Sequence, residues 1–153
     1  MAIGPVHLAD KSAWEQARYD RRARDRLHEL RAAGRLAVCV VSMAELLFSA
    51  RNADELNRIR LDLSALPYMH ITADAERHVV ETMTALAACG QHRTPIPDLM
   101  VAAIARVGSA VVLHYDSDYE RIAAVTGQPH EWIVPRGTGH GMQPPDAGSQ
   151  SPR

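Results

Sequence analysis

The sequence is short of the features on which several function classes depend. Only one of its 17 basic residues, Lys11, is lysine, and its two cysteines, Cys39 and Cys89, form no pair of zinc-site spacing. Cys39 falls in an apolar run and Cys89 near a helix end, so both read as reduced core residues of a cytoplasmic protein. No apolar run approaches the ~20 residues that a spanning helix needs, so no membrane role is expected. The N-terminus has no basic segment followed by an apolar stretch, the pattern of a secretory signal. There is no G-x-x-x-x-G-K-[ST] and no G-x-G-x-x-G, which removes the nucleotide-loop readings. No G-x-S-x-G supports a Ser-His-Asp set. The eight histidines are scattered, with no H-x-x-x-H pair.

At 153 residues the chain is long enough to bury a core as one domain, and its 46% hydrophobic content suits a soluble globular fold. The net charge of −1 hides an uneven distribution. Between Arg18 and Arg35 lie seven arginines (18, 21, 22, 24, 26, 31, 35) against Asp20, Asp25 and Glu29, a local excess of +4. Guanidinium binds phosphate through two parallel hydrogen bonds, so the patch suits a nucleic-acid backbone. A solvated helix face is the alternative.

Strand and helix patterns alternate. Val6–Ala9 and Leu36–Val41 are apolar runs without alternation, as in strands covered on both faces. Tyr68–Ile71, isolated by Pro67, and Val111–His114 read as a third and a fourth strand, and Glu131–Val134 reads as an edge strand. Between them, helices are expected from Ser12 to about Gly34 (broken near Tyr19-Asp20), over Met43–Arg51, and over Asp54–Ala65. A fourth follows Thr72, whose hydroxyl can cap it, and runs to Cys89-Gly90. Two more are expected over Asp98–Val107 and Asp118–Thr126. This order implies an α/β three-layer sandwich, with a mostly parallel central sheet flanked by helices. The domain is expected to span residues 1–135, and residues 136–153, rich in Gly, Pro, Ser and Gln, to form a disordered tail.

Four acids fall where apolar strands end. Asp10 closes the first run, Glu45 lies one helical turn after the second, Asp98 opens an apolar helix behind two prolines, and Asp116, with Asp118 nearby, follows Val111–Leu113. Each has a local alternative. Asp10 and Asp98 suit helix N-termini. Ser42-Met43-Ala44-Glu45 fits the S-x-x-E capping box. Asp116 and Asp118 suit a turn and the cap of the next helix. None of these explains why all fall at one end of the sheet, where open parallel sheets bind ligands. Carboxylates gathered there raise their pKa values or recruit a cation, and an oxygen-only set favours Mg²⁺ or Mn²⁺ over zinc.

The segments carrying these acids resemble the motifs of PIN-domain ribonucleases. Leu8-Ala9-Asp10-Lys11-Ser12-Ala13-Trp14 is similar to the first motif and Val41-Ser42-Met43-Ala44-Glu45-Leu46 to the second. Pro97-Asp98-Leu99-Met100-Val101-Ala102-Ala103 is similar to the third. The run from Leu113 to Ala123, through Asp116 and Asp118, is similar to the fourth. The resemblance covers about residues 6–134, with the motifs in family order, and is nearest to the VapC-type toxins of bacterial toxin–antitoxin pairs.

The resemblance implies a PIN-like fold and a Mg²⁺- or Mn²⁺-dependent endoribonuclease, silenced by a small cognate antitoxin and assembled as a homodimer. It implies Asp10, Glu45, Asp98 and Asp116 as the catalytic acids, with Asp10, Asp98, Asp116 and Asp118 toward the metal. Ser12 is expected to hydrogen-bond within the site and, with Arg18 and Arg22, to contact substrate. Lys11 departs from the Thr or Ser often found there, and is expected to point outward. With no histidine pair expected at the site, attack by water is favoured over attack by a 2′-hydroxyl, leaving a 5′-phosphate and a 3′-hydroxyl. Accessible bases make a single-stranded or looped RNA the expected target. Two other readings stand beside this one: a PIN-fold RNA- or protein-binding domain without cleavage, and an RNA-processing nuclease without an antitoxin.

Overall fold

A computed structural model of the chain describes residues 4–139. In chain order the elements are β1 (His7–Ala9), α1 (Lys11–Tyr19), α2 (Arg21–Ala32), β2 (Leu36–Cys39), α3 (Val40–Phe48) and α4 (Ala53–Ser64). They continue as β3 (Tyr68–Met69), α5 (Ala73–Ala88), α6 (Ile96–Val107), β4 (Val111–His114), α7 (Asp118–Thr126) and β5 (His130–Trp132). The sheet order is β3-β2-β1-β4-β5, and every pairing is parallel. The three-layer α/β sandwich read from the alternating pattern is therefore the fold found.

The pleat explains why the strands are apolar on both sides. Successive side chains point to opposite faces. Leu8, Ala37, Cys39 and Val112 enter one core with Leu86, Leu99, Ile104 and Ile122 of α5–α7. Their neighbours Ala9, Leu36, Val38 and Leu113 enter a second core with Ala13, Leu27, Leu30 and Leu63 of α1, α2 and α4. Leu8 and Leu113 are completely buried, each burial worth ~1.5–3 kcal/mol.

Local chemistry sets the element ends. The helix break expected near Tyr19-Asp20 is present: Asp20 ends α1, caps α2, and accepts the Arg22 amide at 2.9 Å. Thr72 Oγ1 accepts the Ala75 amide at 3.1 Å and starts α5. Gly127 ends α7 with a φ of 71°, a left-handed conformation that favours glycine.

Several boundaries differ from the sequence reading, among them β3, which stops at Met69 rather than Ile71, and α3, which ends at Phe48 rather than Arg51. β2 stops at Cys39 and α3 begins at Val40, so Val40-Val41 belongs to a helix. The Ser42–Glu45 capping box consequently does not form. Ser42 is inside the first turn, its hydroxyl donates to the Cys39 carbonyl at 3.3 Å, and Glu45 is mid-helical. α6 starts at Ile96, which makes Asp98 its third residue rather than its cap. β5 is His130–Trp132, starting one residue and ending two residues earlier than expected. Of the tail expected over 136–153, residues 140–153 lie outside the described residues. Arg136 donates to Glu120 at 2.7 Å, Arg22 to the Thr138 carbonyl at 2.8 Å, and the Gly139 amide to Tyr115 Oη at 2.9 Å.

Candidate metal centre

The strand order reverses between β1 and β4: from β1 the sheet runs outward through β2 to β3, and from β4 to β5. In a parallel sheet this switch point opens a crevice at the carboxyl ends of the two strands. Asp10 is the residue after β1, and its amide donates to the Leu113 carbonyl of β4 at 2.9 Å. Asp116 follows β4, and Asp118 opens α7. Asp98 arrives from the start of α6. Carboxylate oxygens of Asp98, Asp116 and Asp118 all lie within 4.8 Å of one another.

The electrostatics follow from that crowding. Burial, then the charges of Asp10, Asp116, Asp118 and Glu45, push the Asp98 carboxyl up to about 8. Burial raises Asp116 as well, partly offset by the hydrogen bond from the Asp118 amide. Glu45 is raised by burial and by Asp10, against the lowering effect of Lys11. No hydrogen bond from the described residues reaches the Asp98 carboxylate. Hard oxygen donors this close, one of them held protonated near neutrality, fit a divalent cation, whose charge would offset the repulsion.

Asp10 is held differently. Its Oδ2 accepts from the Ser12 amide at 2.9 Å and from the Ser12 hydroxyl at 2.6 Å, and its Oδ1 accepts from Tyr119 Oη at 2.8 Å. It is thus both the cap of α1 and a neighbouring carboxylate whose charge acts on Asp98 and Asp116.

This arrangement is matched in sequence. The PIN domain family matches residues 8–125, the span that contains all five acids. The chain belongs to the PIN-domain family. Among its relatives is Ribonuclease VapC51 of Mycobacterium tuberculosis, 44% identical over 109 residues, or 71% of this chain and 80% of that one. Ribonuclease VapC18 of the same organism is 37% identical over 136 residues, covering 87% and 98%. The fold is shared with a chain of the DNA-bound VapBC of Salmonella typhimurium (TM-score 0.70, 18% identity, 86% of this chain and 100% of that one). It is shared also with VapBC-5 of M. tuberculosis (TM-score 0.57, 26% identity, 84% and 97%).

Within this PIN domain the remaining candidate residues separate. The Ser12 hydroxyl donates to Asp10 and accepts the Tyr115 amide at 2.9 Å, so it ties β1 to the segment after β4. Lys11 pairs with Glu15 at 3.3 Å at the rim of the acids. Arg22 is bound to Asp20 at 2.8 Å beside Tyr115, with its side chain half exposed. Arg18 is not among the acids. It lines a groove of about 320 Å³ with Trp14, Leu27, Leu46, Ile59 and Leu63, on the face covered by α1, α2 and α4.

Two residues of the site were not singled out from sequence. Tyr119 is buried and holds Asp10 from α7, and His114, fully buried, accepts the Asp116 amide on Nδ1 at 3.0 Å. A histidine pair does exist here: His114 Nε2 is 2.8 Å from His130 Nδ1. The pairing is invisible to spacing rules because it crosses from β4 to β5. Both Tyr119 and His114 lie within the fourth motif, which is the only signal the sequence offers for them.

Proposed function

We propose that this PIN domain is an endoribonuclease of the VapC type, the toxin of a toxin–antitoxin pair, which hydrolyses RNA phosphodiester bonds with Mg²⁺ or Mn²⁺. The observation carrying this reading is the convergence of Asp98, Asp116 and Asp118 at the sheet's switch point. Those three would hold the cation, with Asp10 and Glu45 completing the negative field. Such an ion supplies charge neutralisation at a phosphoryl oxygen and lowers the pKa of water. The chain's own part is to fix the carboxylates. Ser12 and Tyr119 clamp Asp10, and neutral His114 leaves the nearby field anionic. Both ring nitrogens of His114 are occupied, Nδ1 by the Asp116 amide and Nε2 by His130, so the buried ring offers no free base to a 2′-hydroxyl. Hydrolysis by water, leaving a 5′-phosphate, remains the favoured chemistry. Arg22 is the proposed phosphate contact, positioning RNA without reading its sequence, whereas Arg18 lies at the groove rather than among the acids.

The antitoxin is proposed to dock in the groove beside α1, α2 and α4. Its apolar walls are edged by Arg18, Arg24 and Arg31, which suits an apolar segment bearing acidic residues. Trp14 Nε1, in the groove wall, is buried with no hydrogen-bond partner among the described residues. A homodimer is proposed through α3, where Val40, Ala44 and Phe48 form an exposed stripe at helical spacing and Phe48 is 91% exposed. Sedimentation of the purified chain as a monomer at micromolar concentration would contradict it.

The test of activity is RNA cleavage by Asp10→Asn and Asp98→Asn with Mg²⁺ present. Both variants are expected to fold, and each to lose more than ~100-fold in rate, beyond the upper end of the cost of disturbing a metal ligand's supports. Unchanged cleavage by Asp98→Asn rejects the metal centre.

A further inference from the structure

His114 is a buried polar side chain to which the reading above gives no positioning task. Its ring is wedged among Tyr119, His130 and Trp132, with centroids 4.8, 5.0 and 4.9 Å away. Nδ1 accepts the Asp116 amide, so the ring proton must be on Nε2, which then donates to His130 Nδ1. Asp116 repeats the pattern, its Oδ1 accepting the Asp118 amide at 2.9 Å. Each side chain thus captures the main-chain N–H two residues on. The intervening Tyr115 amide goes to Ser12. The segment Tyr115–Asp118 is therefore held by side-chain acceptors where the β4 ladder ends.

From this geometry we propose that His114 is a positioning residue for the metal centre, with its tautomer set by His130 of the edge strand. Asp116 Oδ1 and the Asp118 main chain are oriented only if the Asp116 amide is tied down, and His114 Nδ1 is the acceptor that ties it. His130 matters because its Nδ1 accepts only from a His114 protonated on Nε2. Without that acceptor the other tautomer competes, and its Nδ1–H would face the Asp116 N–H. The proposal deepens the metal-centre reading and rests on it.

The discriminating experiment is Mn²⁺ titration, followed by electron paramagnetic resonance, of the wild type, His114→Leu, His114→Asn, His130→Phe and Asp98→Asn. Leucine fills the space but has no acceptor, whereas the asparagine side-chain oxygen can capture an amide two residues on. The expected result is Mn²⁺ affinity weakened ~10-fold or more in His114→Leu and restored to within about threefold in His114→Asn, as for loss and rescue of an outer-shell support. His130→Phe, which leaves His114 in place, is expected to fall between them.

A purely packing role would lower the melting temperature of His114→Leu and leave Mn²⁺ affinity unchanged, and that result overturns the proposal. Equal weakening in His114→Asn and His114→Leu overturns it too. Should His114→Leu fail to fold, wild-type affinity in His130→Phe overturns the relay. Wild type and Asp98→Asn titrating alike would instead reject the metal centre itself, a result distinct from failure of the relay.

Discussion

Asp98 holds its proton up to about pH 8 in the metal-free fold, because it is buried and faces Asp10, Asp116, Asp118 and Glu45. In an unfolded chain the same carboxyl titrates near ~3.9. A group whose folded pKa is raised contributes stability that is full below its unfolded value and lost as pH rises through the folded one. Asp98 therefore destabilises the metal-free fold progressively between about pH 4 and pH 8. Asn, unable to ionise, escapes this cost. In chelator, the melting temperature of Asp98→Asn should exceed that of the wild type, by a margin that grows from about pH 5 to about pH 8. Thermal unfolding measured across that range checks it, and a constant or reversed margin would refute the assignment. Position alone marked Asp98 as a candidate in the sequence. Its perturbation was not legible, because it comes from burial and from charges just after β1 and β4 and on α7 and α3 that only folding brings near.

At the scale of elements, the edge strand β5 is fastened by Glu131. The His7 ring of β1 lies 2.8 Å from Glu131 Oε2, and Arg26 of α2 donates to both oxygens at 2.9 and 3.1 Å. The hydrogen bond with His7, then those from Arg26, outweigh burial and hold the Glu131 carboxyl down to about 2. A depressed carboxylate contributes stability present above its unfolded pKa and lost as pH falls toward the folded one. Glu131→Gln should accordingly melt below the wild type at pH 6, with the gap closing between about pH 4 and pH 2. An unchanged gap would show that the clamp is not ionic. The long helices and their alternation with strands were readable from periodicity, from the break near Tyr19-Asp20 and from the Thr72 cap. The β2–α3 junction was not. Val40 and Val41 are β-branched and extend an apolar run, yet the chain turns helical at once and carries Glu45 toward the acids. Tertiary placement there overrides local propensity.

For the molecule as a whole, activity and restraint are proposed to occupy different surfaces: the acids at the carboxyl end of the sheet, and the groove on the face of α1, α2 and α4. Ile59 lines that groove without belonging to the site. Ile59→Glu should leave the toxin able to cleave RNA while weakening its cognate antitoxin by more than ~30-fold, the cost of losing a central interface contact. Titrating antitoxin into a cleavage assay reads this directly, and inhibition equal to wild type would move the docking site elsewhere. Asp10, Asp98, Asp116 and Asp118 were legible because each lies near a strand or helix end that periodicity locates, and mid-helical Glu45 through its motif, one turn beyond the second apolar run. The support from Tyr119, His114 and His130 was not, since it depends on α7 and β5 packing beside β4. The central claim is that Asp98, Asp116 and Asp118 hold a divalent cation. Anomalous diffraction from crystals soaked in Mn²⁺ tests it most directly. The account predicts a peak bounded by those three carboxylates. A fully soaked crystal with no peak there, or with manganese bound only elsewhere, would contradict it.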